Sequence, residues 1–266
     1  MSIEFEPIVN LPFLYINGAV ISNDATTPNT ILDIAAGQAR DQTNQADMIL
    51  GNYLGVNPNL TANTSTSLNF GVNGVNGLDT GTIAEATMYY IYMIADPKGF
   101  KPTGVIASLQ PVATGPLMPF GYGLSRLIGF WATISNAAHL LPGYMSNSVG
   151  GGREFRYDAP QATAVTAGAA TSYTACALTN LVPLVNNLVV SLQTAFTANA
   201  AGDTLKLQPG NGTGDAITIE APSTHVYYSN FGILSQLVSS VPTVNYKVSS
   251  SSDAVAINVC GYTVSL

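Results

Sequence analysis

Short runs of apolar, β-branched and aromatic residues recur along this chain, each closed off by Gly, Pro, Asn or Asp. Punctuation of this kind predicts an all-β protein. Met88–Ala95 (Met-Tyr-Tyr-Ile-Tyr-Met-Ile-Ala) is apolar on both faces, as a central strand covered on each side should be. Asp96-Pro97-Lys98-Gly99 ends it, because proline offers no N–H to a ladder and glycine accepts positive φ. Val255–Val264 has the same double-sided character. Further strands are expected at Phe13–Ile21, with Asn17-Gly18 as a turn or bulge, and at Thr30–Ala35, Val105–Leu109, Leu127–Ile134, Glu154–Tyr157 and Thr171–Ala177. Later ones are expected at Leu188–Leu192, Thr204–Leu207, Ala216–Ile219, Val226–Tyr228 and Thr243–Val248. Helical signal is weak. Thr43–Leu54 and Thr179–Asn187 each suit a short helix or turn, the second limited by Pro183, and Ile233–Val238 is ambiguous by length.

This pattern implies a β-sandwich or jelly-roll-like fold, in one large domain or two. The glycine cluster Ser148–Gly152 divides the chain near its middle and reads as a hinge. The expected units are residues 1–150, an N-terminal β-sandwich domain with an N-terminal arm, and 151–266, a C-terminal β-rich domain. The Asn/Thr/Ser-rich stretch Asn57–Asn76 reads as an exposed loop or a flat strand.

Composition changes the picture in one respect. Only 9% of the 266 residues are charged, against ~25% in an ordinary soluble domain, while 47% are hydrophobic. Asn, Thr, Ser, Gln and Gly take the place of charge, and such residues suit faces that pack on protein. The net charge of −7 and eight scattered Lys and Arg argue against a nucleic-acid partner. No apolar run approaches ~18 residues, so no membrane span is expected. The acidic N-terminus does not have the form of a signal peptide. Cys176 and Cys260 sit in apolar surroundings and are expected to be buried and unbridged.

Chemistry finds little to hold on to. His139 and His225 are remote from each other and from the cysteines, so no zinc set forms, and His139 reads as a core or interface histidine. No G-x-S-x-G elbow is present. Glu154 and Asp158 beside Arg153 and Arg156 read as surface ion pairs. Gly71–Gly77 lacks the lysine of a phosphate loop, and Asp203 with Asp215 matches no calcium spacing. Neither a catalytic residue nor a cofactor or metal is assigned. Tyr89, Tyr90 and Tyr92 are expected to fill packed faces, with Trp131 and Tyr262 as further structural or interface candidates. Arg126 is the only cation between Thr103 and Gly152, and is expected to be buried on a carboxylate or carbonyls.

Several short motifs occur in order: Gly77-Leu78-Asp79-Thr80-Gly81, Tyr89-Tyr90-Ile91-Tyr92, Leu117-Met118-Pro119-Phe120-Gly121-Tyr122 and Arg126-Leu127-Ile128-Gly129. Val241–Tyr246 and Ile257–Tyr262 follow in the second half. Their order resembles the β-rich tail-fibre and head-decoration subunits of tailed-bacteriophage virions. Met88 stands where that class often has tryptophan before the tyrosine pair. The resemblance implies a non-enzymatic virion subunit, made in a bacterial host's cytoplasm and assembled with itself, as a trimer, and with other virion proteins. A receptor- or glycan-binding fibre tip is the alternative function, and a glycan depolymerase a third.

Overall fold

The computed structural model of the protein describes residues 15–51, 66–134, 136–148, 152–185, 188–210, 212, 217–238 and 241–266. It is all-β, with nineteen strands and no helix among the described residues. Most strands fall where the alternation placed them, and Met88–Ala95 has the expected bounds.

The run expected as one strand at Phe13–Ile21 is two strands in two sheets: β1 (Ile16–Gly18) and β2 (Ile21–Asn23). Phe13 and Leu14 lie outside the described residues. Gly18 at φ +69° and Ala19 at φ +48° turn the chain between them. A Cβ on Gly18 would meet the Ala36 carbonyl oxygen at 2.5 Å, so only glycine fits. Strands β3 (Ile31–Ile34), β4 (Gly37–Arg40), β5 (Asp47–Leu50) and β6 (Thr66–Asn69) follow. β1, β4 and β5 form a three-stranded sheet. β5 therefore replaces the helix or turn expected from Thr43, and a turn held by Asp41 precedes it. Residues 52–54 of that expectation lie outside the described residues.

β7 (Gly77–Leu78), β8 (Met88–Ala95), β9 (Gly104–Ser108) and β10 (Leu124–Ala132) make a four-stranded sheet in the order β10-β8-β9-β7. The remaining strands are β11 (Gly143–Asn147), β12 (Arg153–Ala162), β13 (Thr174–Ala177), β14 (Leu188–Thr197) and β15 (Thr204–Pro209). They continue with β16 (Ile217–Glu220), β17 (Val226–Val238), β18 (Val241–Val248) and β19 (Ala254–Val264). The largest sheet runs β16-β15-β18-β17-β14-β19-β12-β11-β2-β3-β6, with β13 on β18. The ambiguous Ile233–Val238 is the end of β17, and Thr179–Val185 is turn and irregular chain.

β11 and β12 pair across residue 150 as an antiparallel hairpin, and Ser148 N–H bonds Gly152 O at 2.8 Å. The largest sheet therefore runs through the expected domain boundary: β2, β3, β6 and β11 lie in one sheet with strands of the second half.

The four-stranded sheet packs on this large sheet. Trp131 of β10 meets Phe155 of β12 edge-on at 4.9 Å, and Phe155 stacks on Tyr262 of β19 at 5.1 Å. The Trp131 indole N–H donates to Leu141 O at 2.9 Å, so the buried ring leaves no polar group stranded. At Gly129 the two sheets lie close together, and a Cβ there would run into Met145 Sδ and Ile21 Cδ1.

Candidate interaction surface

All six residues singled out from sequence are buried: Arg126, Tyr89, Tyr90, Tyr92, Trp131 and Tyr262. Tyr89 and Tyr92 pack as rings with satisfied hydroxyls, and Tyr90 lines a cavity. Tyr89 meets Phe70 edge-on, and its oxygen accepts the Ala84 N–H at 2.8 Å. Tyr90 meets Phe130, and Tyr92 donates to Gln110 O at 2.8 Å. Burial pushes the pKa of Tyr89, Tyr90, Tyr92 and Tyr262 upward, so these phenols stay neutral. Trp131 and Tyr262 come together through Phe155. Arg126 and Tyr90 line one cavity of about 320 Å³ with Gln42, Val112, Phe130 and Leu266. Burial lowers the Arg126 pKa, and the nearby charge of Asp41 opposes that shift.

A second buried cation escaped the sequence reading. Arg153, expected in a surface ion pair, is buried, and donates to Gly18 O at 2.9 Å, Ala19 O at 2.7 Å and Asn147 Oδ1 at 2.7 Å. It clamps the kink where the chain passes between sheets, and desolvation lowers its pKa to about 10. The two carbonyls that it clamps lie 134 and 135 residues away in sequence, so spacing gave no signal. Arg156 and Glu154 do form a surface pair, at 2.6 Å. His139 is exposed, not in the core. Cys176 is buried and free as expected, whereas Cys260 is free but only half-buried. Asp215 lies outside the described residues, and Asp203 closes a turn by accepting the Ala200 N–H. Among the described residues no group of three or more His, Cys, Asp or Glu is placed to hold a metal.

The surface itself shows where charge is missing. On β14, β17 and β19 alternate residues point away from the core, and the registers set them in rows across the three strands. The middle row is Asn230–Gln193–Asn258. On one side lie Tyr228–Ala195–Ala256 and then Val226–Thr197–Ala254. On the other lie Gly232–Ser191–Gly261 and then Leu234–Val189–Thr263. None of these side chains is Asp, Glu, Lys, Arg or His. Tyr228 is 74% exposed, and Val226, Leu234 and Val189 are also exposed. The Glu154–Arg156 pair on β12 borders this patch, since Arg156 sits beside Gly261 and Glu154 beside Thr263. The missing signal was present in the chain as uncharged alternate positions over Val189–Thr197 and Ala254–Thr263.

A separate apolar feature lies at the end of the four-stranded sheet. Phe100 and Phe120 are 86% and 95% exposed on the loops that flank β9. The Lys101 ammonium lies over the Phe120 and Tyr122 rings at 5.1 and 5.5 Å, and donates to Phe120 O. An open cleft of about 570 Å³ beside them is lined by Asp47, Asp96, Lys98, Phe100, Lys101 and Thr103, among others.

No family model, curated protein or solved structure matches the chain.

Proposed function

We propose that the protein is a non-enzymatic structural subunit of a bacteriophage virion, a capsid decoration or tail-associated fibre protein that assembles through neutral-polar and apolar surfaces. The observation that carries this reading is the uncharged outer face of β14, β17 and β19. Interface cores are depleted of charge because each buried unpaired ion costs several kcal/mol, and this face asks for no such cost. A long neutral sheet face left in water is also an aggregation hazard, which a covering subunit removes. The order of the short motifs supports the virion setting, with assembly in the host cytoplasm and with copies of itself and other virion proteins as partners. The test is the mass of the chain by light scattering at low and high salt, followed by imaging of particles carrying it. Association that survives high salt is expected, since little of the cohesion is Coulombic. A monomer that binds no virion component would end the reading.

A second reading has its own observation. The open cleft beside Phe100 and Phe120 joins exposed ring faces to carboxylates and ammonium groups, which suits a receptor- or glycan-binding fibre tip. Glycan-array binding lost on Phe100→Ala and Phe120→Ala would favour it.

A further inference from the structure

We infer that the uncharged face of β14, β17 and β19 is covered by the same face of a second copy, related by a two-fold axis along the row Asn230–Gln193–Asn258. This rests on the assembly reading above and names the partner of that surface.

Charge is the first argument. Each copy carries −7, so two copies repel except where they can meet without ions. A partner bringing charged groups to this face would leave them unpaired and desolvated. The chain's own face brings none.

The pattern of the rows is the second argument. An axis in the interface plane and across the strands lays β17 over β17 and exchanges the rows on either side of Asn230. Tyr228, the largest projection on the face, then falls over Gly232 and Ser191 of the other copy. Those two small residues are neighbours in one row of the ladder, so a knob meets a hollow twice, as an isologous contact requires. Val226 meets Leu234 in the same exchange. On the axis itself each amide faces its own copy. An amide carries both donors and an acceptor, and so satisfies its own kind. Among the described residues the Asn230, Gln193 and Asn258 side chains make no hydrogen bond, which leaves that capacity open.

Area is the third. Three strands ~4.8 Å apart and about 30 Å long give roughly 450 Å² of flat footprint. Side-chain relief raises the accessible area toward the ~800 Å² per partner of a standard interface. Two sheets facing each other in this way sit ~10 Å apart.

The experiment uses the full chain. Light scattering gives the mass, and the half-buried Cys260 on β19 reports accessibility through its rate of reaction with a thiol reagent. The wild type is expected to be an even-numbered oligomer with slow Cys260 labelling. Tyr228→Lys, at an exposed position that leaves the fold intact by circular dichroism, should weaken association at least tenfold and speed labelling to match. In a Cys260→Ser background, Asn230→Cys should cross-link to itself with a short bismaleimide. Tyr228→Cys should not do so alone, but should when mixed with Gly232→Cys. An oligomer that survives Tyr228→Lys, or a three-fold species in place of the two-fold one, would overturn this pairing while self-assembly stands. A wild-type chain that stays monomeric at high micromolar concentration would remove self-assembly itself.

Discussion

The outer face of the large sheet carries two adjoining regions of opposite character. From β12 toward β6 it carries the Glu154–Arg156 pair, Tyr144 beside Arg156, and Asp33 within reach of the Ser67 hydroxyl at 3.3 Å. From β19 to β17 it carries no charge. Both regions share one hydrogen-bonded sheet, and their inner faces are equally apolar: Phe155 and Met145 under one, Val190, Leu192, Ile257 and Val259 under the other. The core therefore does not distinguish them. What differs is the outward set, the set that water or a partner sees, which is uncharged on β14, β17 and β19 and carries ions on the strands beside them.

The junction between the regions is where the largest effect is expected. Phe155 stands at the border, between Trp131 and Tyr262, and Phe155→Ala should cost ~3–5 kcal/mol in chemical denaturation. A single cooperative transition in that experiment is the expected form. Two transitions would show that the regions unfold apart. Arg153→Ala should cost about 2–3 kcal/mol, because it strands the Gly18 and Ala19 carbonyls in a buried kink. A loss within error of zero would mean that water replaces the guanidinium there.

Acid separates the charged from the neutral. Burial pushes the Asp41 pKa up, but hydrogen bonds from Thr43, Ala46 and Gln45 outweigh it, and the carboxyl ends below its usual value. A depressed folded pKa adds stability that is present above the unfolded value of about 3.8 and lost as pH falls through the folded one. Protection of the Gln45 and Ala46 amides relative to their intrinsic exchange rates should therefore hold to about pH 4 and fall below it, while the protection of β14 and β19 amides stays unchanged. Equal loss of protection in both places would point to global acid unfolding instead.

The smallest expected effects on stability lie on the two outer faces. Glu154→Gln removes an exposed ion pair, and should change stability by ~0–1 kcal/mol and less at high salt. Tyr228→Lys should leave the stability of the single chain within ~0.5 kcal/mol, since its ring is mostly in solvent. Its effect belongs to association, and a large loss of fold stability would mean that the ring packs within its own chain.

The strands were largely legible because the pleat is local: residues two apart share a face, and an apolar alternation declares it. Met88–Ala95 needed nothing more. The clearest misreadings came where a residue's role depends on distant chain. Phe13–Ile21 reads as one strand because nothing nearby says that its two ends enter different sheets. Tyr89, Tyr90, Tyr92, Trp131 and Tyr262 were recognisable as large aromatics, yet whether they faced a partner or the core was settled by the sheet laid over them.

The sequence by itself determined an all-β chain with little charge, the bounds of its strongest strand, and the alternation that separates inner from outer positions. Tertiary structure decided that β11 and β12 carry one sheet across residue 150, that Arg153 is buried, and that the uncharged positions of three strands align in rows. Alternation is set by backbone geometry within a few residues. Strand order and register are set by contacts between residues up to 135 positions apart, and a single strand does not encode its neighbours.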